Sequence, residues 1–236
     1  MSNEKSLNDY VINGSENDLA NAIKEIRKKF TTAEAWITKN IPRTNDSLAM
    51  HNLLKCSAQY LDVLATSINK HISILALATR SLYELNLQVR LICSDPKNIQ
   101  TWYSEVITDK IQVTEGILGI QTISELSPQR VILRNEIQRL TDVRNKHNLQ
   151  AIKSPASAGE IAKQLGLSES HKNLYKLFSK IVHPSSYLVN DYNNAASPQN
   201  TSILQIHAQL YAWDTLNRIA SHFTIPDSII DHTVTS

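Results

Sequence analysis

The segment from His71 to Cys93 is the most apolar in the chain, with aliphatic residues on nearly every side of a helix between Ile72 and Leu91. A helix that is apolar all round is normally covered by other elements. This segment therefore demands a protein built around it. Yet Arg80 and Glu84 sit within it, one helical turn apart. Charges in such a place are paired or they serve a site. Arginine precedes glutamate, the weaker order for supporting an exposed helix, so local helix support is a poor reason for the pair. A brace between helices, the floor of a polar pocket, and a solvent-exposed pair on a less buried helix are the readings that remain.

The rest of the chain suits a helical surrounding. Apolar residues recur mostly at three and four positions, and five glycines in 236 residues leave little material for tight hairpins. The expected fold is all-α: one bundle of about six or seven helices over residues 15–225, between a flexible N-terminus (1–14) and a flexible tail (226–236). Ser15 with Asp18 predicts a reciprocal cap, and Pro42 ends that helix near Asn40. A second helical region runs from Ser47 to Cys93 with a break near Thr66 to Lys70. Asp95-Pro96 and Ser127-Pro128 both read as a cap followed by proline at the first helical position. Short helices follow over 158–165 and 169–182. The asparagine-rich stretch 190–200 reads as a polar loop, and a last long helix covers 201–223.

Composition sets outer limits. Apolar residues make up 42% and charged residues 19%, with a formal charge of +2. Such a balance gives no electrostatic case for a dedicated nucleic-acid binder, while leaving room for a local basic patch. Arg80, Glu84 and Arg90 interrupt the best apolar run, so no membrane span is expected. The polar start MSNEKSLNDY lacks the apolar core of a secretory signal, which makes the cytoplasm the expected location. Cys56 and Cys93 read as small buried side chains. The eight histidines show no compact zinc spacing, and no glycine-rich phosphate loop occurs, so neither a metal nor a cofactor is expected.

A second sharp feature is Tyr175-Lys176-Leu177-Phe178-Ser179-Lys180-Ile181-Val182-His183-Pro184-Ser185. Tyr175, Ser179 and Val182/His183 follow helical spacing, and His183 falls at the C-terminal end, where the helix dipole favours a cation. Nearby serine hydroxyls can orient the ring. The arrangement suits a proton-transfer group near neutral pH, and it suits a structural helix stop equally well.

Together with Ala78-Thr79-Arg80-Ser81-Leu82-Tyr83-Glu84-Leu85, this segment resembles the DUF5677 family of bacterial helical proteins of unknown function, over about residues 53–187. The resemblance implies an all-helical fold in which Arg80, Glu84, Tyr175 and His183 approach one another. It carries no activity. A looser analogy is to HEPN-type helical ribonucleases, which pair an arginine with a nearby histidine. Here His147 follows Arg144 after only two residues, too close for that pattern. Arg80 and His183 from different helices could supply the same chemistry, the arginine steadying phosphate charge and the histidine moving a proton.

Two further patterns are weighed. Ile161 to Ser168 resembles the first half of a helix-turn-helix, with Ala162, Gly166 and Leu167 fitting its tight corner, although Lys172 stands where an apolar residue is usual. The final helix carries His207, Tyr211, Asp214, Arg218 and His222 as a polar stripe, read here as a solvated face. The leading functional expectation is thus a cytoplasmic binding or assembly protein with an internal polar pocket. In it Arg80 and Glu84 form the base, and Tyr175, Ser179 and His183 the second wall. The alternatives are a metal-independent endoribonuclease of stress or phage defence, with His183 and Arg80 as catalytic candidates, and a helix-turn-helix DNA-binding protein. RNA and a second copy of the chain are the partners considered, DNA less so.

Overall fold

The computed structural model describes residues 11–120 and 127–230. It is all-α and 80% helical, with no strand among the described residues. Among the described residues eight helices have seven residues or more, exceeding the six or seven expected. The count rises because the region 47–93 is two separate helices, and shorter helical turns are added at 186–190, 192–195 and 227–230. The expected flexible ends fall largely on residues 1–10 and 231–236, which lie outside the described residues.

The chain divides into two compact units, residues 1–93 with 158–236, and residues 94–157. In the first, α1 (Glu16–Asn40) packs on α2 (Asn45–Ser67) and on the long C-terminal helix. The Ser15–Asp18 cap forms in both directions, and Thr44 with Ser47 forms a second reciprocal cap before α2. The expected break falls between α2 and α3 (Ile72–Ser94). There Asn69 takes the left-handed conformation, φ 63°, which asparagine tolerates better than most residues.

In the second unit α4 (Asn98–Leu118) packs on α5 (Pro128–Lys146). Ser127 caps α5 with proline at its start, as the sequence predicts. Asp95-Pro96 does not start α4 in that way. The Asp95 carboxylate accepts from the Lys97 N–H at 2.9 Å, closing a turn that precedes the helix. One face of α4 then straps the returning chain. Gln100 and Gln112 donate to the carbonyls of Asn148 and Lys153, Ser104 accepts from the Gln150 N–H, and Glu105 accepts from the Ala156 N–H. Residues four apart share a helix face, and that spacing lets one helix order a loop with no structure of its own.

The first unit continues with α6 (Ala158–Gln164), α7 (Ser168–Ile181), α8 (Ser186–Asn190), α9 (Tyr192–Ala195) and α10 (Pro198–Phe223); α11 (Asp227–Ile230) follows. Between α6 and α7 Gly166 has φ +72°, and the Leu167 N–H reaches back to the Ala162 carbonyl at 2.7 Å. This is a glycine-terminated corner of the kind that ends helices. The stretch read as a polar loop is instead α9 and the start of α10. Ser197 caps α10, and the Asn200 amide donates to the Asn194 and Ala195 carbonyls. Asparagine and serine here satisfy helix ends instead of solvating a loop.

Helix α3 is not buried all round. Ile72, Leu75, Ala76, Thr79, Leu82, Tyr83, Asn86 and Leu87 are covered, while Ile74 and Leu77 are 41% and 45% exposed. Thr79 donates to the Leu204 carbonyl of α10, and Ser73 to the Ile181 carbonyl at the end of α7. Two neighbours cover two sides of the helix and leave the third to water.

Candidate functional site

The open side of α3 brings Arg80 to α7. Its Nε donates to Glu84 Oε1 at 2.8 Å, its Nη2 donates to the Tyr175 hydroxyl at 2.5 Å, and its Nη1 lies 3.4 Å from His183 Nε2. The guanidinium carbon also stands 4.8 Å from the Tyr175 ring centre, within range of a cation–π attraction. Four residues named from sequence therefore meet in one cluster. The fifth, Ser179, does not join it; its hydroxyl donates to the Lys176 carbonyl of its own helix.

The covered surroundings that the apolar sequence of α3 suggested for this pair are open on one side. The Arg80 side chain is 21% exposed and that of Glu84 37%, and His183 is exposed. The aliphatic surroundings that suggested burial belong to the other two sides of α3. Burial works against the Arg80 charge, but Glu84 and Tyr175 outweigh it and hold the guanidinium above its ordinary range. Glu84 fixes Arg80 through Nε, which leaves hydrogens on both terminal nitrogens to be shared between protein and ligand.

Two residues not singled out from sequence complete the setting. His171 lies one turn before Tyr175 on α7, its ring 4.7 Å from the tyrosine ring. Its Nδ1 is 3.0 Å from the hydroxyl of Tyr83, which is 4% exposed. Burial lowers the His171 pKa, partly offset by Glu84, and pushes that of Tyr83 up to about 12. The four-residue spacing of His171 and Tyr175 was visible in the sequence. Their convergence with Tyr83, on a helix 88 positions earlier, was not.

Tyr83 also faces Tyr211 of α10, ring centres 5.0 Å apart. Beyond it lies a second polar cluster. Asp214 Oδ2 accepts from Asn86 at 2.7 Å, from Arg90 at 3.0 Å and from Arg218 at 2.7 Å. Asn86 is 1% exposed and also donates to Thr215. The stripe on the final helix is thus only partly solvated: Asp214 ties α10 to Asn86 and Arg90 of α3, Arg218 supports Asp214 from its own helix, and His222 meets Asp46 of α2 at 2.7 Å. Donors from α3 and α10 converge on one carboxylate oxygen of Asp214, so this cluster reads as a brace.

The other motifs fall elsewhere. Arg144 lies in the last turn of α5 and His147 caps it, both in the second unit. The corner expected of a helix-turn-helix forms, and Phe178 and Ile181 turn inward with no exposed surface. Lys172 is exposed in place of an apolar packing residue. Among the described residues no group of three or more histidine, cysteine, aspartate or glutamate side chains could hold a metal ion, and no helix is long and apolar enough to cross a membrane.

A family model described as "Family of unknown function (DUF5677)" matches residues 46–200. No curated protein and no solved structure matches the chain. The matched span holds every member of the Arg80 cluster and ends before Asp214.

Proposed function

We propose that this chain, which belongs to the DUF5677 family of unknown function, is a cytoplasmic helical binding protein that takes an anionic group at the Arg80–Tyr175–His183 cluster. The observation that carries this reading is the exposure of His183 at 3.4 Å from Arg80. A brace alone gains nothing by holding an imidazole in water beside a guanidinium. Glu84 and Tyr175 hold the guanidinium plane in place, and a preorganised arginine fork matches the oxygens of a phosphate or carboxylate. Arg80→Ala and His183→Ala are expected to weaken binding of inorganic phosphate, followed by calorimetry or NMR, by about tenfold each, the scale of one charge-assisted hydrogen bond. Wild-type affinity in both variants, with the fold intact, refutes the reading.

The same pair favours a second reading, metal-independent RNA cleavage in a stress or phage-defence setting. His183 would accept the proton of a 2′-hydroxyl as O2′ forms a bond to phosphorus. Arg80 would steady the charge of the five-coordinate phosphorus, and the P–O5′ bond would break as the departing oxygen regains a proton, leaving a 2′,3′-cyclic phosphate. Purified protein incubated with RNA in the presence of a chelator tests it. Equal turnover by wild type, H183A and R80A ends the mechanism.

A further inference from the structure

One exposed edge of α7 carries a row of cations that the Arg80 cluster does not use. Lys172, Lys176 and Lys180 recur every four residues and are all exposed. Among the described residues no carboxylate or other side chain pairs with the ammonium group of any of the three. At 1.5 Å per residue the row advances by about 6 Å per lysine and about 12 Å overall. Tyr175 stands on the same helix, between Lys172 and Lys176 in sequence, and His183 stands at the helix exit, so the row and the cluster share one element. The net charge of the chain is only +2, so this is a local feature and not the overflow of a basic protein.

The shape of the row limits its ligand. A small anion draws charges inward to a point, as Arg80, Tyr175 and His183 converge. Three cations in line, each projecting into water, suit a ligand whose own charges are in line. We infer that the lysine edge of α7 is a track for the phosphodiester backbone of a nucleic-acid strand, one of whose phosphates reaches the Arg80–His183 cluster. This rests on the anion-binding reading of that cluster and gives it a substrate class. Backbone contacts of this kind position a strand without reading its bases. The track is thus indifferent to sequence, and any preference between RNA and DNA arises at the cluster.

The test is fluorescence anisotropy of the full chain with labelled single strands of RNA and of DNA, and with a DNA duplex, across a salt series. Variants are K172Q/K176Q/K180Q, the single charge reversal K176E, and R80A. For single strands each phosphate contact contributes about 0.7 to the slope of log affinity against log salt. The triple variant should therefore lower that slope by about 2 and weaken binding about a hundredfold at ~0.1 M salt. K176E should move both in the same direction, and scrambling the base sequence should change neither. Far-UV circular dichroism checks that all variants stay folded.

Unchanged affinity and slope in the triple variant overturn the track. If R80A alone then loses the strand or inorganic phosphate, the cluster reading survives without it. Wild-type protein that binds phosphate but no strand also overturns the track and spares the cluster. A preference above tenfold for duplex DNA overturns it in favour of a helix-turn-helix groove reader.

Discussion

Replacing Asp214 by asparagine removes one charge from an oxygen that accepts from three side chains. Oδ2 accepts from Asn86, Arg90 and Arg218 at 2.7 to 3.0 Å. Asparagine keeps an acceptor but leaves two guanidinium groups facing each other without an anion. Hydrogen bonds to charged groups contribute about 1.5–3 kcal/mol each when shielded, and exposed ion pairs about 0.2–1 kcal/mol. The Asp214 side chain is 30% exposed, so a net loss of about 2 kcal/mol is the reasoned middle. Urea unfolding followed by tryptophan emission reads it, in a Trp102→Phe background so that Trp36 and Trp213 report the first unit. With a slope of about 2 kcal/mol per molar, the midpoint should fall by about 1 M.

The pH dependence has a definite sign. Burial alone would raise the Asp214 pKa, but hydrogen bonds from Arg218 and Asn86 and the charge of Arg90 take it below the ordinary 3.8. The unfolded chain then binds this proton first as acid is added. Its contribution is complete above the unfolded value and is lost as pH falls through the lower folded value. The gap between wild type and D214N should therefore close below about pH 4. A midpoint shift under about 0.25 M at neutral pH, or a gap that stays constant into acid, refutes the assignment.

Other consequences can be measured separately. Phe178→Ala removes a side chain with no exposed surface between α7 and Tyr83 and should cost about 3–5 kcal/mol in unit-one unfolding. Gly166→Ala meets no atom within 4 Å, so its expected cost of about 1–2 kcal/mol in thermal or urea unfolding is the left-handed backbone alone. The His171 imidazole should titrate by NMR below the usual 6.5, because burial disfavours its cation. Stability linked to it is present above 6.5 and is lost as pH falls through the folded value, a slope that His171→Gln should reduce. Tyr83→Phe deletes the hydroxyl facing His171 and should move that titration without abolishing the fold.

Helix boundaries were legible wherever local chemistry decides them. Ser15 with Asp18, Ser127 with Pro128, and Gly166 at the α6–α7 corner each act within a few residues of their own position. Asp95-Pro96 misled because the same pair can close a turn before a helix. The stretch 190–200 misled because polar residues that solvate a loop can also cap short helices. At the site, Arg80, Glu84, Tyr175 and His183 announced themselves by standing out from their surroundings. His171 and Tyr83 did not, since each has an ordinary place on its helix.

What the amino-acid order determined is the set of helices and the presence of an arginine–glutamate pair within the most apolar one. Those follow from periodicity, caps and the energy of a charge near hydrocarbon, all local quantities. Which side of α3 faces water was settled only by folding, because α7 and α10 cover two sides and leave Arg80 at the edge of the third. Hydropathy along a chain averages over all directions around a helix. Only the neighbours that arrive from distant positions decide which direction is left open.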